Sequence, residues 1–187
     1  AMRAKLPFAI VQSGRSFRNE ISPRQALIRL REFTQFEIEF FFDPKEDFKP
    51  YYEVENERIR IWTREAQKVG EGPQNFKLSE ALEEVLPNKV MAYFLAKEAQ
   101  IMRALGIKKK NYWFRHMMPE ETPHYSGGNF DLEYAFEWGT KEIVGNAYRT
   151  DYDLSNHSKH SGVTLKWINA NGKYIGPHVV EPSFGFE

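Results

Sequence analysis

From Ile28 to Phe42 apolar and charged residues alternate: Ile28, Leu30, Phe36, Ile38, Phe40 and Phe42 share one parity, and Arg29, Arg31, Glu37 and Glu39 share the other. An extended strand sends alternate residues to opposite faces, so the pattern predicts a strand with one face in a core. The other face carries opposed charge. Exposed cross-strand ion pairs would account for it at well under ~1 kcal/mol each. The preceding segment argues for more, because Arg18 and Glu20 stand at i and i+2 on a stretch expected to pair back on this strand through the loop of "ISPRQA". Two strands then present arginines and carboxylates to a common surface. A planar guanidinium suits a phosphate and a carboxylate suits an ammonium or a base amino group, so the face suits a ligand carrying both charges.

The rest of the chain alternates between strand and helix signals. "PFAIVQ" (Pro7 to Gln12) predicts a short strand, punctuated by Ser13-Gly14 before a second extended piece around Phe17 to Glu20. Asp43-Pro44 closes the alternating strand, and the shift to a polar, tyrosine-containing composition marks an apparent insertion at residues 45–111. Within it, Ser79 and Asn88 are N-cap candidates, Pro87 separates two helices, and Gly106 is a plausible stop. Val90, Met91, Phe94, Leu95, Ile101, Met102 and Leu105 recur at helical spacing and read as plain packing. Lys108 to Lys110 read as a solvated helix end, with RNA contact as the alternative. Further strands are expected in "NYWFRHM", "DLEYAFE", "EIVGNAYR", "VTLKWI" and "YIGPHVVEP", the last two joined by a hairpin at Asn171-Gly172. Strands on either side of central helices predict an α+β fold, an antiparallel sheet flanked by helices.

Composition removes several function classes. Lys and Arg number 26 and Asp and Glu 26, for a net charge of +0, so nucleic acid binding requires a local arrangement of cations rather than a whole-molecule field. Without cysteine there is no disulfide, thiolate zinc site or cysteine nucleophile, and the five histidines lack metal-ligand spacing. No apolar run approaches the ~20 residues that span a bilayer, and no signal-type leader precedes Pro7, so a cytoplasmic location is expected. Ala1 and Met2 read as an expression scar.

"FRNEISPRQALIRLREFTQFEIE" closely resembles motif 2 of class II aminoacyl-tRNA synthetases, in the form found in glycyl-tRNA synthetases of the archaeal and eukaryotic dimeric type. "FRHMMPEETPHYSGGNFDLE", "EIVGNAYRTDYDLSNHSKHSG" and "VVEPSFGFE" agree with that family in order and spacing, so the resemblance covers residues 3–187. It implies a glycine–tRNA ligase that uses ATP with Mg2+, first forming glycyl-adenylate and then charging tRNA(Gly), as a homodimer without a prosthetic group. By resemblance, Arg18 is the catalytic grip on the α-phosphate, with Asn19, Glu20, Arg29, Leu30, Glu142 and Ile143 also at the ATP, and Glu142 the candidate magnesium contact. Glu37, Glu181, Pro182 and Ser183 correspond to the glycine pocket.

The departures from the family pattern are Ala26 for a usual glycine, Gly128 for an aspartate, Phe130 for a tryptophan and Tyr148 before Arg149. His116 and His124 read as structural; Asp131 and Glu133 either line the glycine site or pair with arginines. The resemblance also puts motif 1 before Ala1, and the motif 3 arginine and anticodon-binding domain after Glu187. The expectation is a core fragment with little or no aminoacylation activity by itself. A synthetase-like nucleotide-binding or regulatory protein is the alternative, against which Arg18, Glu20, Arg29, Glu37 and Glu181-Pro182-Ser183 all weigh.

Overall fold

The computed structural model describes residues 5–21, 30–122, 124–168 and 172–185. Arg29, Ala26 and Asn171 lie outside them. The strands are β1 (Phe8–Phe17), β2 (Glu32–Phe42), β3 (Arg58–Trp62), β4 (Gln74–Lys77), β5 (Tyr112–His116), β6 (Gly128–Phe136), β7 (Gly139–Thr150), β8 (Trp167–Ile168), β9 (Tyr174–Ile175) and β10 (His178–Gly185). Eight form one sheet in the order β1-β2-β10-β7-β6-β5-β3-β4, while β8 and β9 pair separately. The helices are α1 (Arg64–Val69), α2 (Leu78–Glu84), α3 (Lys89–Ala104) and α4 (Tyr152–Ser161). Among the described residues no helix is long and apolar enough to cross a membrane.

The alternating segment is β2 from Glu32 onward, and β1 pairs with it antiparallel from Phe8 opposite Phe41 to Phe17 opposite Glu32. Ser13-Gly14 does not interrupt β1: Gly14 pairs with Gln35 and the strand runs on through Phe17. A glycine weakens a strand without breaking it when the partner's ladder continues. The sheet also departs from the antiparallel pattern that the sequence predicts, because β3 runs parallel to β5. A parallel neighbour needs a long crossover, and the helices between these strands supply it. Residues 45–111 thus contribute β3 and β4 to the same sheet.

The helix signals are partly displaced. Asn88 caps α3, its side chain accepting from the Met91 amide at 2.9 Å, and Gly106 past its end has φ 75°. Ser79 lies inside α2, which starts one residue earlier because the Glu80 carboxylate accepts from the Lys77 amide at 2.9 Å. The short helix α1 had no clear sequence signal, but Thr63 caps it, accepting from Ala66 N at 3.1 Å.

Behind the sheet, α3 buries Val90, Met91, Leu95, Ala96, Ala99 and Met102. They meet Ile59 and Ile61 of β3, Phe114 of β5, Phe130 and Leu132 of β6, Val144 of β7 and Val180 of β10 in one cluster. Phe40 closes it with an edge contact to Phe94, ring centroids 5.5 Å apart. The apolar parity of each central strand therefore faces α3. The charged parity faces away, and that is where the site lies.

Candidate active site

Register brings the away-facing residues together across five strands. Ser183 on β10 stands opposite Glu37 on β2 and Gly145 on β7, and Glu181 stands opposite Ala147. Asp131 on β6 is opposite Gly145 and Arg115, and Glu133 is opposite Glu142 and Trp113. Gly145 and Ala147 are the smallest residues in this set, so they form the floor of the face, with acids and arginines around them. One end of this face is closed: Phe8 stacks on Phe41 at 4.8 Å and meets Trp167 at 5.4 Å.

At one wall Gln35 organises the acids. Its amide Nε2 donates to Glu37 Oε1 at 3.2 Å and to Ser183 Oγ, and its Oε1 accepts from Ser16 Oγ at 2.8 Å. Gln12 Nε2 approaches the other Glu37 oxygen at 3.4 Å. Nearby, Glu181 is pushed up by burial, drawn down by Arg149, and pushed up again by Glu37 and Glu39. Four carboxylates, Glu181, Glu37, Glu39 and Asp153, thus surround one arginine. A cationic group placed among them relieves that crowding, which is the electrostatic signature of an ammonium site. Arg149 is itself held, with Nε on Asp153 at 2.7 Å, Nη1 3.4 Å from Glu181 and its guanidinium 4.3 Å over the Tyr125 ring.

The strand that positions Arg149 is irregular at both ends of the floor. Thr150 and Tyr148 pair with consecutive residues Val179 and Val180, which makes Arg149 the extra residue of a bulge. Thr150 beside it has φ 54°, a strained value for a β-branched residue. Likewise Leu132 and Glu133 pair with Val144 and Glu142, leaving Ile143 as the extra residue. Bulges re-aim side chains next to active sites. Here one turns Glu142 over Gly145, where an added Cβ would meet its Oε1 at 3.2 Å, while Arg149 at the other keeps the parity of Gly145 and reaches Glu181 at 3.4 Å.

The opposite wall holds Arg18, immediately after β1. Its backbone N–H donates to Arg31 O at 2.9 Å and its guanidinium lies 5.2 Å from the Phe33 ring centroid. Burial raises the pKa of Glu142, and Arg18 pulls it down. Burial and the like charges of Glu142 and Glu133 push Asp131 up to about 7, against Arg115. Glu133 is raised by burial and accepts from Trp113 Nε1 at 2.7 Å. Among the described residues no group of three or more His, Asp or Glu side chains is arranged to hold a metal ion by itself. Acids this crowded suit a cation that arrives with ligands of its own.

The residues singled out from sequence distribute as follows. Arg18, Asn19 and Glu20 sit at the β1 terminus, where Arg31 Nε fixes the turn by donating to Glu20 O at 2.9 Å. Leu30 is half-buried just before β2, and Arg29 lies outside the described residues. Glu37, Glu181 and Ser183 share the pocket. Pro182 is buried on the α3 side, opposite Asn146, and Ile143 packs against the core, so both shape the backbone and offer no side chain to the pocket. Gln35 and Arg149 complete the site without having been singled out; Gln35 shares the parity of Glu37, a signal that points to it.

His116 stacks on Phe130 at 4.4 Å and burial, with Arg64, lowers it to about 4, leaving it neutral. His124 shares a 3.0 Å hydrogen bond with the Tyr152 hydroxyl. Tyr148 faces the core, beside Phe42 and hydrogen-bonded to His178 Nδ1. Its ring lies over Gly127, where a Cβ would come within 2.6 Å of it. Gly127→Ala should therefore destabilise the protein by about 1–3 kcal/mol, read as a lower urea midpoint; an unchanged midpoint would show that the ring swings aside freely.

Comparison with known proteins identifies the family and the fold. The family model of the tRNA synthetase class II core domain (G, H, P, S and T) matches residues 1–164. A glycine–tRNA ligase of Pyrococcus abyssi is 46% identical over 166 residues, 87% of this chain and 29% of that protein. One from Pyrococcus furiosus is 45% identical over 196 residues, 96% of this chain and 34% of its own. The chain thus spans about a third of the length of the curated relatives it matches. Among solved structures, a prolyl-tRNA synthetase from Cryptosporidium parvum complexed with L-proline and AMP superposes with a TM-score of 0.58 at 16% identity, covering 96% of this chain and 29% of that one. A Giardia lamblia prolyl-tRNA synthetase in complex with prolyl-adenylate superposes at 0.56 and 14%, covering 96% and 27%. At such identities the likeness is one of fold.

Proposed function

The chain belongs to the class II tRNA synthetase core-domain family, and from that premise we propose that it is the part of a glycine–tRNA ligase that activates glycine with ATP and passes it to tRNA(Gly). The observation that carries the reading is the meeting of Glu37, Glu181 and Ser183 over a floor of Gly145 and Ala147, with Arg18 across from them beside Glu142. Cytoplasmic location, a homodimer, and residues 45–111 as an elaboration of the catalytic core belong to the same proposal.

In the first step a glycine carboxylate oxygen bonds to the α-phosphorus of ATP, and the bond from that phosphorus to the bridging oxygen breaks, releasing pyrophosphate. The nucleophile is already an anion at neutral pH, so alignment and charge stabilisation dominate. Arg18 grips the α-phosphate; Asn19, Glu20, Arg29 and Leu30 flank the nucleotide, with Ile143 contributing backbone. Glu142 would be the carboxylate that meets the magnesium ion brought by ATP, which would supply neutralisation of phosphate charge. Glu37, Glu181 and Ser183 hold the α-ammonium, with Pro182 setting the strand's shape. In the second step the 3′-terminal hydroxyl of the tRNA attacks the glycyl carbonyl and AMP leaves. Selectivity for so small an amino acid rests on excluding a methyl group rather than gripping a side chain.

Thermal unfolding with a non-hydrolysable glycyl-adenylate analogue tests the reading. At a hundredfold excess over Kd the analogue should stabilise the protein by about 2.7 kcal/mol, an upward shift of about 5–10 °C. The alanyl analogue should give a much smaller shift. No shift with the glycyl compound overturns the proposal.

A further inference from the structure

At the far edge of the sheet, Arg58 on β3 stands directly opposite Lys77 on β4. Like charges across a ladder are unfavourable, so folding does not explain the pair. Neither side chain has an ion-pair partner among the described residues. Arg60, two residues along the same face, lies 5.8 Å from the Trp113 ring centroid. It also donates to Lys110 O at 2.6 Å, pinning the 3-10 turn at Lys109–Asn111 against the sheet. That turn brings Lys108, Lys109 and Lys110 to the same edge. The clustering registers at Lys109, whose pKa is lowered by burial and then by the charges of Arg103, Arg58 and Arg60.

The acids that enter this neighbourhood are already engaged. Glu57 chelates Arg103 at 2.9 and 3.0 Å, and Glu80 caps the Lys77 amide. A chain of net charge +0 has therefore concentrated cations at one edge. The edge is continuous with the active face, since Trp113 beneath Arg60 donates to Glu133.

We propose that this edge, Arg58, Arg60, Lys77 and Lys108 to Lys110, binds the phosphate backbone of RNA and guides its terminus toward the active face. The partner class rests on the adenylate-forming reading, whose second step consumes an RNA hydroxyl. RNA fits better than an acidic protein because the half-buried indoles of Trp62 and Trp113 share the face and offer surfaces on which bases stack.

The test is filter binding of an RNA minihelix with an acceptor stem and a single-stranded CCA end, titrated with salt. The triple variant Arg58→Ala, Lys77→Ala, Lys109→Ala should bind about tenfold or more weakly, and its log-affinity against log-salt slope should fall by about two to three. Its stabilisation by the glycyl-adenylate analogue should be unchanged, since none of the three lies in that pocket. Unchanged affinity and slope, or no binding by the unmutated chain, would overturn the proposal while the analogue shift still stands. Polyglutamate of matched charge competing as well as the minihelix would overturn the choice of RNA. Loss of the analogue shift in the unmutated chain would instead bring down the reading on which the partner rests.

Discussion

Glutamine in place of Glu98 should raise the stability of the protein at pH 8 by about 4 kcal/mol and leave it nearly unchanged at pH 4. Glu98 lies on α3, 2% exposed, and receives a 3.1 Å hydrogen bond from Asn146 Nδ2 on β7. Its second oxygen and Asn146 Oδ1 are both buried without a partner. A proton on Glu98 supplies the donor that these two acceptors lack. Burial pushes the group from 4.5 up to about 8, against the opposing effect of the Asn146 hydrogen bond.

The folded value is above the unfolded one, so below about pH 4.5 both states are protonated and nothing is lost. Between about 4.5 and 8 the unfolded chain sheds the proton while the folded chain keeps it, and stability falls by about 1.4 kcal/mol per pH unit. Glutamine is a near-isostere that cannot titrate and always carries a donor, so its profile should stay flat in that window. Urea midpoints from pH 4 to 9 provide the measurement. Parallel profiles for the two proteins would exclude a protonated Glu98 in the fold.

In the whole ligase of which we propose this chain is part, replacing Arg18 with alanine should lower glycine-dependent pyrophosphate exchange by about a thousandfold, while KM for glycine changes by less than about twofold. A charge met only at the phosphorus contributes to the transition state and not to amino-acid binding. Arg15, three residues earlier and paired with Glu32 at the exposed edge, is the control: Arg15→Ala should leave the rate unchanged. Retention of more than about a tenth of the rate in Arg18→Ala would remove it from the catalytic role. A raised KM with an unchanged kcat would move it to binding.

The parity of β2 was readable because only one conformation sends Phe36, Phe40 and Phe42 one way and Glu37 and Glu39 the other. The same reading missed that Phe41, on the charged parity, is 7% exposed, since its cover comes from Phe8, a residue 33 positions earlier that pairing brings opposite it. Ser13-Gly14 was read as a break because turn chemistry is local, whereas the continuity of β1 is imposed by its partner. The parallel pairing of β3 with β5 carries no local mark at all.

Within the site, Glu37, Glu181 and Ser183 came from resemblance and meet through register. Glu142 shows where parity fails: alternation from Val144 would count it onto the α3 side, and the bulge at Ile143 turns it over Gly145, whereas Arg149 shares the parity of Gly145 and Ala147, a signal that points to it. Pro182 and Ile143, marked by resemblance, have side chains committed to the core and meet the site through the backbone alone.

The pocket floor is one peptide layer thick. Gly145 and Ala147 face the candidate pocket, and Asn146 between them reaches back to Glu98. Three consecutive residues therefore belong at once to the proposed binding surface and to a buried acid–amide pair. By thermodynamic reciprocity, if occupancy of the pocket alters the hold of Asn146 on Glu98, the proton on Glu98 alters the affinity of the pocket by the same factor. Substrate titrations at two pH values on either side of 8 would thus report on a helix that never touches the substrate.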